Sequence, residues 1–212
     1  MPLKFPLPIV YPITSGNTTP DDILRLVHAA VDAEVPLFQI REKSLSGRVL
    51  FELGARAAEI TRGSTTRLLV NDRSDIARAA GADGVHLTTR SLPVEVVRKT
   101  CGAEFLIGVS THSLEEARVA HAGGADFVVF GPVFETESKR AYGAPQGLEK
   151  LSQVSHALGE FPVVAIGGIT LENVGACFEA GARGVAAIRL LNDADNMASI
   201  VQTIRRTGFT RF

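Results

Sequence analysis

The sequence has no tryptophan and only two cysteines, two methionines and two tyrosines in 212 residues. Cys101 and Cys177 form no spaced pair, so neither a disulfide framework nor a zinc site is expected. The formal net charge is −1, which argues against a broad basic surface for nucleic acid or anionic membranes. No apolar run reaches the length of about 18 residues that a membrane span needs. These absences favour a cytoplasmic protein that binds neither nucleic acid nor a membrane.

Short apolar runs rich in Val, Ile and Phe alternate along the chain with longer segments of helical character. This order is expected for parallel strands joined by crossover helices. Eight strands are predicted, at residues 8–14, 37–41, 67–71, 84–87, 105–110, 127–131, 163–167 and 184–189. The pattern predicts a (β/α)₈ TIM barrel that forms a single domain over residues 1–212. An open doubly wound sheet is the alternative.

The boundaries of the intervening helices are marked by capping signals. T-P-D-D at 19–22 places a proline in a first turn, and S-L-E-E at 113–116 matches a capping box. Three helices are expected to end at a glycine just before a buried strand, in A-A-G-A-D-G-V, A-G-G-A-D-F-V and E-A-G-A-R-G-V.

In a barrel of this kind the active site lies at the C-terminal ends of the strands, here called the rim. Strand two brings the pattern Q-x-R-x-K there as Gln39, Arg41 and Lys43. Extended spacing predicts that all three point to one face and the apolar residues between them to the other. Such a cluster is costly unless it meets an anion, although an ion pair with Glu42 or Asp72 is the structural alternative.

Other predicted strands also end in polar residues. Strand three ends at Asn71 and Asp72, and strand five at Ser110. Strand six opens into the loop 131–147, whose hydroxyls and cations are at Thr136, Ser138, Lys139 and Arg140. Parallel strands of a barrel end at the same rim, so we expect these groups to form a cationic anion site with Arg41 and Lys43.

The last two strands end instead in A-I-G-G-I (165–169) and A-A-I-R (186–189), which offer backbone N–H groups. We expect a helix to begin at Thr170, directly after the glycines, because barrels commonly bind a phosphate in that way. Two anion sites are therefore predicted. They suit either a pair of phosphorylated substrates or one long substrate with phosphate at both ends.

The motifs Q-x-R-x-K (39–43), V-N-D-R (70–73), G-V-H-L (84–87), G-V-S-T-H (108–112), G-P-V-F-E-T-E-S-K (131–139) and A-I-G-G-I (165–169) occur in this order over nearly the whole chain. Together they resemble the superfamily of thiamine phosphate synthase and the TenI-like thiazole tautomerases, and the synthase branch more closely. The resemblance implies a transferase of thiamine biosynthesis. In that reaction a pyrimidine diphosphate ionises and the nitrogen of thiazole phosphate captures the cation.

The resemblance also implies site residues, a cofactor and partners. Asp72 would ligate Mg²⁺, and Gly168, Ile188 and Arg189 would hold the thiazole phosphate. Arg41, Lys43, Ser110 and Lys139 would be catalytic. The pyrimidine diphosphate would be bound by these four together with Gln39, Asn71, Thr136 and Ser138. The expected partners are small phosphorylated substrates, and a homodimer is compatible with the sequence.

The chain departs from the synthase pattern after G-V-H-L, where synthases usually carry G-Q-[ED]-D, ending in a second magnesium ligand. Here the sequence is Thr88-Thr89-Arg90-Ser91. One hypothesis is that Arg90 lies at the mouth of the site and replaces part of the missing positive charge. The alternative is that Arg90 begins the next helix and faces water.

Two other functions stay open at this point. The tautomerase branch tolerates the loss of the acid, and His112 at the rim would then be its acid or base. However, the catalytic histidine of that branch falls where this chain has Pro132, and Arg189 stands where synthases commonly have a serine. A protein that binds thiazole or thiamine phosphate without catalysis is the remaining alternative.

Overall fold

The structure is a computed structural model that describes residues 5–136 and 144–209. Strands and helices alternate along it. The strands are β1 (Ile9–Pro12), β2 (Leu37–Ile40), β3 (Arg67–Asn71), β4 (Gly84–Leu87), β5 (Leu106–Thr111), β6 (Phe127–Phe130), β7 (Val163–Ile166) and β8 (Gly184–Ala187). The helices are α1 (Pro20–Asp32), α2 (Gly47–Thr61), α3 (Ser74–Ala79), α4 (Val94–Cys101), α5 (Leu114–Ala122), α6 (Gly147–Leu158), α7 (Val174–Glu179) and α8 (Met197–Phe209).

The eight strands form one parallel sheet in the order β1-β8-β7-β6-β5-β4-β3-β2. Seven neighbouring pairs are joined by parallel ladders. The remaining seam, between β1 and β2, is closed just past β1 by a single bridge from Ile13 to Gln39. There the Thr14 N–H donates to the Gln39 carbonyl at 3.0 Å. The TIM barrel is thereby confirmed over the open sheet.

Side chains that alternate along each strand separate two apolar clusters. The inner cluster fills the barrel and includes Tyr11, Leu37 and Phe127, whereas Phe38 and Ile40 belong to the outer core beneath the helices. The inner cluster is tightly packed. A Cβ atom at Gly108 on β5 would lie 2.3 Å from the Phe127 ring, so only glycine leaves room for that ring.

The predicted helix boundaries are largely confirmed. Thr19 caps α1, with Pro20 in its first turn, and Ser113 caps α5 by accepting a hydrogen bond from the Glu116 N–H. The three glycines that precede buried strands have φ of 75°, 92° and 90°, at Gly81, Gly124 and Gly181. Among the residues that the structure describes, no helix is long and apolar enough to cross a membrane.

Candidate active site

The end of β2 brings Gln39 and Arg41 to the inner side of the rim. Leu37 packs in the inner cluster, and strand alternation carries Gln39 to the same side. Arg41 follows the end of the strand, and its charge acts on His86 inside the barrel. The strand ends at Ile40, and Lys43 lies exposed in the turn that follows. That Lys43 shares one face with Gln39 and Arg41 stays a prediction.

Arg41 is half-buried, and a hydrogen bond from its backbone N–H fixes its position. Its N–H donates to Thr14 Oγ1 at 2.8 Å, across the seam between β1 and β2. Its guanidinium lies beside Gly16, where a Cβ atom would be 3.6 Å from Arg41 Nη1. The Glu42 carboxylate accepts a hydrogen bond from the Gly16 N–H at 3.2 Å.

The positive charge of Arg41 has no carboxylate partner within residues 5–136 and 144–209. Among the described residues, Arg41 therefore forms no ion pair with Glu42 or Asp72, the pairing that would have explained its place in the Q-x-R-x-K pattern structurally. A half-buried guanidinium without an anion is costly to desolvate, so the position suits an anionic ligand.

Gln39 and Asn71 form a polar pair beside Arg41. Gln39 is 1% exposed, and its Nε2 donates to Asn71 Oδ1 at 3.1 Å. The Gln39 Oε1 atom is buried and has no hydrogen-bond partner in the described part of the chain. Because an unpaired buried carbonyl costs about 1–3 kcal/mol, this oxygen is suited to accept a hydrogen bond from a ligand.

Asp72 follows β3 with a φ of 64° and is anchored by its N–H, which donates to the His86 carbonyl at 2.9 Å. Its Oδ1 accepts a short hydrogen bond from the Ser91 hydroxyl. Ser91 in turn accepts from the Thr88 N–H at 2.7 Å. The loop that departs from the synthase pattern thus folds onto the expected metal ligand.

Arg90 lies in this loop with an exposed side chain, and its N–H donates to Thr88 Oγ1 at 3.3 Å. Helix α4 begins only at Val94, so the alternative that Arg90 starts that helix was wrong. No group of three or more His, Cys, Asp or Glu residues that could hold a metal occurs among the described residues. Asp72 is therefore not part of an all-protein metal cage in that part of the chain.

A hydrogen-bonded chain of three side chains runs from the barrel interior to the rim. Tyr11 Oη lies 3.2 Å from His86 Nδ1, and His86 Nε2 lies 2.9 Å from Ser110 Oγ. Burial and, to a lesser extent, the charge of Arg41 lower the pKa of His86 to about 3, so the ring is neutral. Neither Tyr11 nor His86 was among the site residues expected from the sequence.

The loop after β6 lies against the end of β7. The N–H groups of Val133 and Phe134 donate to the Ile166 and Gly167 carbonyls at 2.8 and 3.0 Å. Thr136 is described and half-buried, but Ser138, Lys139 and Arg140 lie outside the described residues. At the neighbouring end of β5, exposed His112 has its Nδ1 2.5 Å from the Gly131 carbonyl, which places the ring beside this loop.

The loop after β7 was predicted incorrectly in one respect. Helix α7 begins at Val174, not at Thr170, because residues 171–173 form a turn. Asn173 shapes this turn, since its Nδ2 donates to the Gly168 carbonyl and its Oδ1 accepts from the Thr170 N–H, both at 2.8 Å. Next to Gly168 the rim therefore presents the backbone N–H groups of a loop and not those of the first turn of a helix.

The loop after β8 is shaped by a second asparagine. Asn192 Nδ2 donates to the carbonyls of Ile13 and Ile188, at 2.7 and 2.5 Å, so it ties this loop to the end of β1. Ile188 is half-buried against the inner cluster, and Arg189 is exposed beyond it. The residues that were predicted to bind a phosphate thus lie in two adjacent loops, each fixed by an asparagine that the sequence analysis did not single out.

The barrel and its rim can be compared with known proteins. The profile of the family described as thiamine monophosphate synthase matches residues 10–191. The chain belongs to this family. A putative thiamine-phosphate synthase of Geobacter sulfurreducens is 46% identical over 167 residues, which cover 79% of this chain and 78% of that protein. The thiamine-phosphate synthase of Moorella thermoacetica is 41% identical over 182 residues, 86% of each chain.

A solved structure gives the same result for the fold. The thiamine phosphate pyrophosphorylase of Pyrococcus furiosus superimposes with a TM-score of 0.81 at 29% identity, over 99% of this chain and 98% of that one. The resemblance inferred from the motifs is therefore confirmed for the family and for the barrel.

Proposed function

We propose that this protein is a thiamine-phosphate synthase, which joins a hydroxymethylpyrimidine diphosphate to thiazole phosphate and releases diphosphate. The names of its relatives over most of their length support this assignment. The observation that carries it is the half-buried Arg41 guanidinium at the rim, without an anionic partner among the described residues and beside the Gln39–Asn71 pair. A strongly anionic leaving group such as diphosphate fits that position.

The reaction requires charge stabilisation more than a protein nucleophile. The C–O bond to diphosphate breaks and its electron pair leaves with the diphosphate oxygen. The lone pair of the thiazole nitrogen then forms the new C–N bond. Cations and hydroxyl donors fixed around the leaving oxygen lower the barrier because they bind the developing charge more strongly than the ground state. We assign this role to Arg41, Lys43, Ser110 and Lys139.

The remaining predicted residues divide between the two substrates. Gln39, Asn71, Thr136 and Ser138 would bind the pyrimidine diphosphate, and the orphaned Gln39 oxygen supports this by offering an acceptor to the amino group of a pyrimidine. Gly168, Ile188 and Arg189 would bind the thiazole phosphate. Support comes from Asn173 and Asn192, each of which fixes one of the two loops at that end of the barrel.

Mg²⁺ fits the site as a cation held jointly by Asp72 and the diphosphate. One oxygen of Asp72 accepts from Ser91, which leaves the other for a metal. Magnesium commonly binds through one or two carboxylates, several waters and substrate phosphates, so one carboxylate oxygen is sufficient. When bound, the ion would neutralise charge on the departing diphosphate. We expect it to bind weakly before the diphosphate arrives.

Ser91→Asp is expected to lower the Mg²⁺ concentration that gives half-maximal rate by roughly tenfold, because the affinity of such sites rises with the number of charged ligands. Position 91 already contacts the Asp72 carboxylate, so a second carboxylate there would reach the same ion. The measurement is the initial rate as a function of Mg²⁺ concentration. Ser91→Asn is the control of equal size without charge, and an equal shift in Ser91→Asn would contradict the explanation.

Arg90→Ala tests whether the same loop supplies positive charge to the site. If the Arg90 guanidinium supplies positive charge to the diphosphate, its removal is expected to raise the Mg²⁺ requirement. An unchanged Mg²⁺ curve would assign Arg90 to the solvent, where its side chain is exposed.

The proposed function is tested by incubating the purified protein with both substrates, with and without Mg²⁺. Thiamine phosphate and diphosphate should form in equal amounts, and neither should form from one substrate alone. Turnover of a thiazole substrate alone would instead support the tautomerase reaction. Binding of thiazole phosphate without any turnover would support a binding protein.

A further inference from the structure

The interior of the barrel contains an ordered path of hydrogen bonds that ends at a residue of the proposed site. Tyr11 is fully buried and His86 is 3% exposed, whereas Ser110 at the end of β5 is half-buried at the rim. Tyr11 and Ser110 are the two hydrogen-bond partners of the His86 ring among the described residues. The direction of the two bonds decides what Ser110 can do.

The direction follows from the inventory of donors and acceptors. A neutral imidazole has one N–H donor and one acceptor nitrogen. The Tyr11 hydroxyl has one proton to donate, and His86 Nδ1 is its only acceptor in the described part of the chain. If Nδ1 carried the ring proton, the buried phenol proton would have no acceptor, at the cost of an unsatisfied buried donor. Nδ1 is therefore the acceptor, and the ring proton is on Nε2.

We propose that Tyr11 and His86 are positioning residues that present the Ser110 hydroxyl to the substrate as a hydrogen-bond donor. His86 Nε2–H donates to Ser110 Oγ, so the serine proton is not taken up by the ring. The structure describes no other partner for this hydroxyl, which is left to point its proton towards the rim. There it would donate to an oxygen of the leaving diphosphate, a role that rests on the proposed function.

The opposite direction of the hydrogen bond between His86 and Ser110 would give Ser110 a different chemical role. If Nε2 were the acceptor, Ser110 would donate to it, and the two would form a serine paired with a general base, as in enzymes that use a serine nucleophile. The inferred direction excludes that pairing. It agrees with a reaction in which the leaving group needs donors and no covalent intermediate is formed.

The tautomer is measured directly by ¹⁵N NMR of histidine-labelled protein, with the His86 signals identified by their loss in His86→Asn. We expect the proton on Nε2 in the wild type. In Tyr11→Phe the Nδ1 atom loses its donor, and the His86 signals should shift towards the other tautomer or an exchanging mixture. A wild-type proton on Nδ1 overturns the proposal, and this result does not depend on whether the protein is a synthase.

The kinetic test is a double-mutant cycle on thiamine phosphate formation. Tyr11→Phe removes only a hydroxyl and is expected to lower kcat about tenfold with little change in KM, the effect of one mispositioned hydrogen bond in the transition state. In a Ser110→Ala background the same change should cost less than about twofold, because the two act through one group. The proposal is contradicted if the losses of kcat caused by Tyr11→Phe and by Ser110→Ala multiply in the double variant, or if Tyr11→Phe leaves kcat unchanged.

Thr111→Val is the matched control. It also removes one hydroxyl from the barrel wall, on the residue next to Ser110, and its Oγ1 is buried without a partner among the described residues. By strand alternation this side chain faces the helices. The control should leave kcat unchanged. If Tyr11→Phe does not fold, the wild-type tautomer still decides the direction of the two hydrogen bonds. If wild type folds but makes no thiamine phosphate, the proposed function fails, and the tautomer result stands separately.

Discussion

Arg41→Ala is expected to lower kcat/KM for thiamine phosphate formation by about 10²-fold or more while the barrel stays folded. This is the scale observed when one preorganised electrostatic group is removed from a transition state. The Arg41 backbone is held by Thr14, and its guanidinium has no carboxylate partner in the described part of the chain, so its charge is available to a diphosphate. Steady-state kinetics with each substrate varied in turn measures the effect.

Arg67→Ala is the control for the loss of an arginine at the other end of the barrel. Arg67 begins β3 and forms an exposed ion pair with Asp83 at 3.1 Å. Such pairs contribute about 0–1 kcal/mol and should not affect turnover. Lys139→Ala should resemble Arg41→Ala if Lys139 also acts on the leaving group. Rates like those of the wild type in Arg41→Ala would reduce Arg41 to a surface cation and remove the main support for the site.

Gly168→Ala is expected to lower kcat/KM for thiazole phosphate by on the order of 10²-fold, the loss that a misplacement of about 1 Å can cause. Gly168 has a φ of 67°, and a Cβ atom there would lie 2.7 Å from the Glu135 carbonyl oxygen and 2.8 Å from Phe134 Cβ. The loops after β6 and β7 would have to move apart. Kinetics with the thiazole substrate varied, together with thermal unfolding, gives the measurement.

Gly63→Ala is the matched control, because it has the same backbone constraint without the crowding. Gly63 has a φ of 79° in the turn after α2, and no atom lies within 4 Å of its ideal Cβ position. A left-handed alanine costs about 1–2 kcal/mol wherever it occurs, so both variants should lose similar stability from the backbone alone. Equal activity in the two variants would show that the approach of the two loops does not matter for catalysis.

The barrel could be predicted from the sequence because its strands are short apolar runs separated by capped helices. Seven of the eight strands lie within the predicted ranges, and β5 extends by one residue to Thr111. The start of α7 was missed because Gly-Gly-Ile-Thr gives no sign that Asn173 will close a turn before the helix. That information comes from contacts and not from periodicity. Whether residues 1–212 form one domain, and whether the protein is a homodimer, stay predictions.

The candidate site was predictable as a set of strand ends but not as a set of contacts. Parallel strands end at one rim, which is why Gln39 and Asn71 could be expected near each other. Their direct hydrogen bond, the bond from Ser91 to Asp72 and the path through His86 depend on side-chain directions that sequence spacing does not specify. Asn192 is the clearest case, since it joins the loop after β8 to Ile13, 179 residues earlier in the chain.

The seam between β1 and β2 links substrate occupancy to the stability of the whole barrel. It is closed by one bridge and by bonds that involve Thr14, Gln39 and Arg41, two of which are proposed substrate ligands. Transient separation of these two strands would dismantle the diphosphate site. A ligand that binds Gln39 and Arg41 is therefore expected to stabilise the closed barrel by mass action. The same ligand should slow amide hydrogen exchange at Thr14 and Arg41 and raise the melting temperature of the protein.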